Sequence, residues 1–583
     1  MTAHPPSQAP QGKLSPSLTL GLCLLWALLW YLPSPPILLT PDAISIFNFA
    51  ECITSRSSTS APAPCIGAAH WQPGQAIAVA FLHALGMRTA TAARWIALFS
   101  GAFIVVPLYV LGRWFGGESV GKWAAALSVP SAVLRFHALI PEARLSALTL
   151  TLGAWAGFVL FLETRKRTFL LAAGASAALA SVWRPEGKLT LVLLSLMLIG
   201  DHIHRFRIRG PKRAEKATLM GDGLATLGGA AGVLIPTQLF VSRLLPKGGD
   251  PGRTWELLAG TWIPLIKTPL FAALFGFGDR PTPFRTRLRQ ALAAGDITIP
   301  PTDALHLLLG MMRTNVPNMP GLLPVSVGIP LLACGVLGIT WLLRDKNRRR
   351  RLIGWSVLIL PVVPLAFLAQ TYNPILPESN LLFMIPALLL PAATLLDDML
   401  RIVARRSRWA AWSSGVIILS LSFAVGRTHY LKLVDERTEQ LFEGRLESRA
   451  AGLWLARHTP PDAEVYTTWV GTAIAYHGGR RSRPWPSSWE IPALMRSLER
   501  TSASPPLFLV ITSVDAFERP LELNAWLEQS GERPDWAFYL QGKESPRWTA
   551  LLPLKPGRTP GSDPPRSGQE RESPTHRAAQ PHD

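Results

Sequence analysis

The chain has 583 residues, of which 48% are hydrophobic and only 16% are charged, and its mean hydropathy is +0.23. A soluble protein carries about a quarter charged residues, so this composition excludes an ordinary soluble protein and indicates a membrane protein. The net charge of +20 does not indicate nucleic-acid binding, because the dense basic runs are short and lie between apolar segments.

Apolar segments along the chain predict about eleven transmembrane helices by the length that a bilayer requires. No clean small-residue cleavage site follows the first segment, so we expect it to be retained as a span. The segments fall at 17–38, 90–112, 121–139, 142–162, 168–183, 187–200, 223–243, 322–342, 353–370, 380–399 and 409–426.

The basic residues predict the orientation of these spans. With the N-terminus in the cytoplasm, every dense basic run lies on the inner side, as positive-inside topology requires. An odd number of spans then puts the C-terminal region outside, which predicts a multi-pass protein of the inner (cytoplasmic) membrane. The inner runs are Arg113 and Lys122; 165–167; 205–216; 344–351; and 401–408.

The segments between and after the spans predict the domain organisation. Ala463–Trp469 and Leu507–Thr512 have the pattern of short buried strands, and Arg445–Arg457 has that of an amphipathic helix, so we expect a small α/β domain outside the membrane. The predicted parts are a flexible N-terminus at 1–16, a membrane domain at 17–426 with outer loops at 39–89 and 244–320, the extracytoplasmic domain at 427–554, and a disordered tail at 555–583.

The first outer loop begins with a carboxylate at the end of a membrane span. Pro41 and Asp42 start a predicted amphipathic helix over 42–53 that lies on the membrane surface. Asp42 is either a helix cap or a catalytic group. His70 begins the run His70-Trp71-Gln72-Pro73-Gly74. A histidine in such a place is more often structural or interfacial than catalytic.

Two of the four cysteines, Cys52 and Cys65, share this loop. In an oxidising compartment a disulfide between them and a pair of free thiols are both open at this point. Cys23 and Cys334 lie in apolar segments, where inert core thiols are expected.

Two further outer turns carry charged residues on the side of Asp42. Glu142 follows Pro141 between the third and fourth spans, and Arg184 precedes Pro185 between the fifth and sixth. Carboxylates at a membrane rim suit general-base and orienting roles, and an arginine there suits phosphate binding. The alternatives are a helix-start carboxylate and a snorkelling arginine. Arg135 and His137, near the outer end of the third span, are candidates to join Arg184. The alternative for them is again a side chain that snorkels to the membrane surface at a helix end.

Two motif-like runs do not carry the chemistry that they resemble. Gly116–Lys122 matches the start of a phosphate-binding loop, but Trp123 stands where Ser or Thr must bind magnesium, and no strand precedes it. Asp201, His202 and His204 look like metal ligands, but residues two apart on a helix face different directions. We predict neither an ATP site nor a metal site in these runs.

The outer elements, in this order, resemble the GT-C superfamily of polytopic glycosyltransferases. More narrowly, the chain is similar to bacterial family-39 proteins related to protein mannosyltransferases and aminoarabinose transferases. Two departures are Gln72-Pro73 for the usual double proline and Pro377–Leu382 where an Arg-Tyr element is common. The matching elements are Asp42, His70–Gly74, Ala93-Arg94-Trp95, Leu111–Gly116, Pro141-Glu142-Ala143 and Arg184–Gly187.

The resemblance implies an all-α, GT-C-like membrane protein with a small α/β domain, and a glycosyltransferase that takes its sugar from a polyprenyl phosphate. The acceptor would be an extracytoplasmic glycan, lipid or protein. Membrane lipids would be further partners, and no cofactor is implied. A transporter or flippase, and an inactive binding member of the fold, are the alternatives. The implied catalytic residues are Asp42 as base and Glu142, which orients the acceptor or assists the base. Arg184 and Arg135 are the implied donor-phosphate ligands, and the implied substrate-binding residues are His70, Arg94 and His137.

Overall fold

The computed structural model divides into two compact units that meet in the sequence between Ser448 and Arg449. The predicted domain boundary at 426/427 lies within one continuous helix, so the division in the structure comes later in the chain. The structure describes residues 16–32, 41–55, 73–184, 187–209, 213–244, 329–345, 382, 384–467, 472–484, 507–512, 538–541 and 548–555.

The first unit is helical. Its helices are α1 (Pro16–Tyr31), α2 (Pro41–Ser55), α3 (Pro73–Ala84), α4 (Thr89–Phe103), α5 (Val105–Gly116), α6 (Glu118–Ser128), α7 (Ala132–Leu139), α8 (Ala143–Thr164), α9 (Arg167–Trp183), α10 (Gly187–Arg209), α11 (Arg213–Leu244), α12 (Ile329–Arg344), α13 (Met384–Arg406) and α14 (Arg408–His458), the last of which ends in the second unit.

Four apolar stretches of these helices are long enough to cross a membrane: Thr89–Gly116, Ala143–Thr164, Leu219–Phe240 and Arg408–Val434. Four shorter apolar helices, in α1, α9, α10 and α12, accompany them. A mostly helical, multi-pass membrane protein is therefore confirmed, while the count of eleven spans stays a prediction. The predicted span at 353–370 lies outside the described residues.

The predicted third span, 121–139, is two helices rather than one. α6 ends at Ser128, and α7 begins at Ala132 after Pro130. Proline has no backbone N–H and its ring clashes with the preceding turn, so a helix breaks there. The hydroxyl of Ser131 accepts a hydrogen bond from the Leu134 N–H at 3.5 Å and caps α7. Residues 132–140 are all buried, which takes the polar groups of α7 into the interior.

Small residues let the helices approach closely, as in other membrane bundles. On α5 and α6, a Cβ at Gly112 would lie 3.0 Å from the Cα of Gly121. On α8 and α9, a Cβ at Gly157 would lie 3.1 Å from Ala173. The largest apolar core of the unit joins α1, α4–α8 and α13 with Tyr430 and Leu433 of α14.

The glycine-rich run at 116–122 is a turn between two helices. Gly117 joins α5 to α6 with φ of +96°, a backbone conformation that glycine adopts without strain. Lys122 pairs with Glu118 at 2.8 Å, one turn along α6. The run therefore has the helical context that argued against a phosphate-binding loop.

The second unit contains α15 (Thr472–Gly478) and a five-stranded sheet in the order β2-β1-β3-β5-β4. β1 is parallel to β2 and β3, whereas β5 is antiparallel to β3 and β4. Leu455 at the end of α14 packs with Val465, Ile474 and Val510 in its core. The predicted α/β fold and both predicted strands are confirmed. The strands are β1 (Glu464–Thr467), β2 (Arg481–Pro484), β3 (Leu507–Thr512), β4 (Phe538–Gln541) and β5 (Trp548–Lys555).

Candidate active site

The N-terminus of α3 touches two of the turns that the sequence analysis singled out. A Cβ at Gly74 would lie 2.5 Å from Cε3 of Trp183 and 2.9 Å from the carbonyl oxygen of Val182, so only glycine fits against the end of α9. The neighbouring Gln75 is fully buried, and its Nε2 donates a hydrogen bond to the Pro141 carbonyl at 3.1 Å. α3 therefore joins the turn before α8 to the turn after α9.

Glu142 stands at the start of α8 and is 3% exposed. Its backbone is extended, its N–H bonds the Ile140 carbonyl at 2.7 Å, and its side chain makes no capping hydrogen bond. The carboxylate instead faces Arg144, with Oε2 lying 3.3 Å from Nε, and both side chains are largely buried. Glu142 is thus a buried carboxylate with a cationic partner, whereas a carboxylate that only stabilises a helix start needs neither burial nor such a partner.

His137 extends this pair to the end of α9. The imidazole is 2% exposed and lies within electrostatic range of both Arg144 and Arg184. Arg184 follows α9 in extended conformation, half-buried, and its carbonyl accepts the Gly187 N–H at 3.0 Å. The structure therefore groups Glu142, Arg144, His137 and Arg184 around the N-terminus of α3.

Arg135 lies elsewhere on α7, two residues from His137. Its guanidinium carbon is 4.5 Å from the centre of the Trp30 ring and 4.0 Å from that of Tyr430. Cation–π contacts of this kind hold α7 against α1 and α14. The predicted phosphate ligands Arg135 and Arg184 are therefore placed in different surroundings.

Asp42 lies in the first turn of α2, which confirms the predicted helix in the first outer loop. The structure describes the backbone of Asp42 and not its side chain. Further along α2, Glu51 Oε1 accepts a hydrogen bond from Thr89 Oγ1 at 3.0 Å, which fixes this end of α2 against the start of α4.

The remaining predicted residues do not join the cluster in the described part of the chain. Arg94 is half-buried on α4 and has no hydrogen bond or ion pair to another described residue. His70 lies outside the described residues. Cys52 is disulfide-bonded, whereas Cys65, its candidate partner from the sequence, lies outside the described residues.

Three residues of the site escaped the sequence analysis: Gln75, Arg144 and Trp183. Each flanks a residue that was singled out, but nothing in the helical pattern separates them from ordinary helix-end residues. Their distinguishing property is burial of polar groups, which sequence periodicity does not report. Gln75 is fully buried, and the indole Nε1 of Trp183 is buried without a hydrogen-bond partner among the described residues.

The described residues contain no group of three or more His, Cys, Asp or Glu side chains that could hold a metal ion. Asp201 pairs with Arg165 at 2.7 Å, His202 contacts Asp222 at 3.2 Å, and Arg205 on the same helix contacts both Asp201 and His202. Asp201 and His202 thus belong to an ion-pair network at the ends of α9, α10 and α11.

No protein-family model and no curated protein sequence matches the chain. Solved structures do match its fold. ArnT from Cupriavidus metallidurans bound to undecaprenyl phosphate matches with a TM-score of 0.56 and 11% identity, over 92% of this chain and 97% of ArnT.

The Archaeoglobus fulgidus oligosaccharyltransferase in its apo form matches with a TM-score of 0.53 and 13% identity, over 91% of this chain and 73% of that protein. The oligosaccharyltransferase AglB from Archaeoglobus fulgidus, in complex with an inhibitory peptide and a dolichol phosphate, matches with a TM-score of 0.52 and 12% identity, over 92% of this chain and 74% of AglB. ArnT and AglB are GT-C superfamily membrane glycosyltransferases, so the predicted GT-C fold is confirmed.

Proposed function

We propose that this chain, which has the GT-C fold, is a membrane glycosyltransferase that moves a sugar from a polyprenyl phosphate to an extracytoplasmic acceptor. The observation that carries the proposal is the grouping of Glu142, Arg144, His137 and Arg184 around α3. These residues come from separate connections, which the positive-inside pattern assigns to the outer side of the membrane. Convergence of buried charged groups at such a rim is costly and typical of a functional site.

The charges of the cluster support an anionic donor. Among the described residues Glu142 supplies one negative charge, while Arg144 and Arg184 supply two positive charges. An excess of positive charge that is partly shielded from water favours a phosphate, and guanidinium groups match phosphate oxygens in geometry. Complexes of the matching structures with undecaprenyl phosphate and dolichol phosphate support the same class of lipid.

The reaction follows from these groups and from the implied role of Asp42. The acceptor hydroxyl oxygen attacks the anomeric carbon, the bond from that carbon to the phosphate oxygen breaks, and the polyprenyl phosphate leaves with the bonding electrons. Asp42 takes the hydroxyl proton as general base, which is the task of a positioned carboxylate. Arg184 stabilises the charge that develops on the leaving phosphate, and Glu142 orients the acceptor.

The packing of α2 supports a place for Asp42 near the cluster. α2 packs against α3 and α4, and the Glu51–Thr89 hydrogen bond holds the later part of α2 where α4 begins. Since α4 begins shortly after α3 ends, this hydrogen bond brings the C-terminal ends of α2 and α3 near each other. α2 and α3 can therefore lie side by side with their N-termini together. Asp42 would then be close to Gly74 and Gln75.

The alternative functions make different predictions. A flippase or transporter would move lipid and would depend on ionisable groups in the middle of spans, whereas the proposed groups are at helix ends. An inactive member would bind the lipid without transferring sugar. Envelope glycans of a deletion strain, complemented with variants and measured by mass spectrometry, separate these cases.

The decisive variants are Asp42→Asn and Glu142→Gln, with Glu163→Gln as the matched control. Glu163 is at the opposite end of α8 and pairs with Arg113, so its neutralisation leaves the cluster unchanged. We expect sugar transfer to fall by about 10²–10⁴-fold for Asp42→Asn, less for Glu142→Gln, and to persist in the control. Full transfer by both variants would refute the assignment, and lipid scrambling that depends on the protein would favour a flippase.

A further inference from the structure

The side-chain amide of Gln75 is held in one orientation at the junction of two turns. Its Nε2 donates to the Pro141 carbonyl at 3.1 Å, and the residue is fully buried. The opposite orientation of the amide would place two oxygen acceptors against each other, so the carbonyl fixes which atom is which. Oε1 is therefore the group that Gln75 presents on its other side.

Oε1 of Gln75 has no hydrogen-bond partner among the described residues. A buried acceptor left without a hydrogen bond is costly, so such atoms in folded proteins are usually met by water or a ligand. The same situation recurs around Gln75 in the described residues: Nε1 of Trp183 and Nε2 of His137 are buried without hydrogen bonds. One indole donor, one amide acceptor and one imidazole thus surround the junction.

We propose that Gln75 is a specificity-determining residue whose Oε1 accepts a hydrogen bond from a hydroxyl group on the substrate's sugar ring. The inference rests on the proposed function and adds the group that is recognised. A neutral amide oxygen accepts from a hydroxyl and has nothing to offer a phosphate, which suits the arginines instead. Nε2 meanwhile holds the turn that carries Glu142, so one side chain couples substrate recognition to the position of the carboxylate.

The test uses the full-length protein in membranes and in detergent. Gln75→Met keeps the approximate volume and removes the acceptor and the donor. Undecaprenyl phosphate, which has no sugar, serves as the binding probe, and sugar transfer is measured with the lipid-linked sugar extracted from wild-type membranes. We expect transfer to fall about tenfold or more while the affinity for undecaprenyl phosphate changes less than twofold.

A double-mutant cycle with Glu142→Gln separates direct recognition from simple positioning of Glu142. Direct binding of a hydroxyl predicts that Gln75→Met lowers transfer further in the Glu142→Gln background. No further loss there would mean that Gln75 acts only through Glu142 and would overturn the proposal. The source of the hydroxyl is identified by the substrate whose apparent KM rises, the lipid-linked sugar or the acceptor.

Two controls keep the outcome interpretable. Thr151→Val removes a buried hydrogen bond to Thr190 in the same unit and should leave transfer within about twofold. If Gln75→Met does not fold, Gln75→Asn keeps both amide atoms but draws them back by one methylene, so transfer should fall, and full transfer by a folded Gln75→Asn protein would contradict the inference. Unaltered protein that fails to bind undecaprenyl phosphate would overturn the proposed function, and this inference with it.

Discussion

Gly74 and Trp183 are in direct contact, because the missing side chain of the glycine makes room for the six-membered part of the indole ring. A Cβ at Gly74 would lie 2.5 Å from Cε3 of Trp183, closer than real Cβ atoms come to a carbon. The contact joins the first turn of α3 to the last turn of α9, one residue before Arg184. It therefore couples the predicted Pro-Gly element of the first outer loop to the predicted arginine turn.

We expect Gly74→Ala to misplace one of these two turns. The indole has to move, and the Val182 carbonyl, 2.9 Å from the new Cβ, is backbone that cannot yield cheaply. Overpacking of this kind lowers the free energy of unfolding by about 1–3 kcal/mol, and sugar transfer should fall more than expression does. Melting in detergent and transfer in membranes measure the two effects.

Gly228→Ala is the control for this substitution. Gly228 is within α11 and has open space where a Cβ would be, so alanine should be neutral or raise the free energy of unfolding by up to about 1 kcal/mol. Equal melting temperatures and equal transfer for Gly74→Ala and Gly228→Ala would show that the α3–α9 contact is looser than the structure has it.

A second prediction concerns the aromatic contacts of Arg135. Trp30 and Tyr430 both lie against its guanidinium, at 4.5 and 4.0 Å, and each contact contributes about 0.5–2 kcal/mol when desolvated. Tyr430→Phe keeps the ring face and should melt close to the unaltered protein, whereas Tyr430→Leu removes it and should melt several degrees lower. Arg135→Lys should resemble Tyr430→Leu, since lysine has no planar group to stack. Equal melting of the Phe and Leu variants at position 430 would contradict the stacking role.

The sequence was sufficient to predict the membrane class, the helical spans with a small α/β domain, and the turns that carry Glu142 and Arg184, because each depends on local patterns. Apolar length predicts spans, Pro–Glu predicts a helix start, and the short apolar runs that contain Val465 and Val510 predict buried strands. The break of the third span at Pro130 was missed, although its proline was visible, because the apolar run continues across it. The partners of Gln75 and Arg135 are 66 and 295 residues away in the chain, and no periodicity reports contacts at such separations.

A third prediction concerns Arg480, which closes the end of α14 within the second unit. Its guanidinium donates to the carbonyls of Leu455 and Ala456 at 3.1 Å, to Thr459 Oγ1 at 2.8 Å and to the Thr459 carbonyl. Burial lowers the pKa of Arg480, and the nearby Asp462 carboxylate offsets only part of this shift. The guanidinium nevertheless stays protonated at physiological pH. Arg480→Ala should therefore destabilise the second unit by about 1–3 kcal/mol at any pH from 6 to 8.

Hydrogen exchange of the full-length protein measures this effect. We expect Arg480→Ala to speed up exchange in 449–484 more than in the helices of the first unit. Arg457→Ala is the control, because Arg457 is exposed on the same last turns of α14 and should change the unfolding free energy by less than about 0.5 kcal/mol. Similar exchange in both variants would mean that the hydrogen bonds of Arg480 add little to the stability of this helix end.

The last prediction concerns Asp222, a carboxylate that is 2% exposed on α11. It accepts a hydrogen bond from Arg167 Nε at 3.0 Å and lies 3.2 Å from His202 Nε2, so it ties α9 and α10 to α11. Removing one partner of a fully buried ion pair costs about 3–5 kcal/mol in soluble proteins, and we expect a smaller cost here because the Arg167 side chain is half-exposed. We expect Asp222→Ala to lower the melting temperature strongly and Asp201→Ala to lower it less, because Asp201 is more exposed. The Arg167→Met, Asp222→Ala double variant should melt close to Asp222→Ala alone, because the Arg167 side chain is half-exposed and stays solvated without its partner. A double variant that melts well above Asp222→Ala would show that the uncompensated arginine charge is what destabilises the single variant.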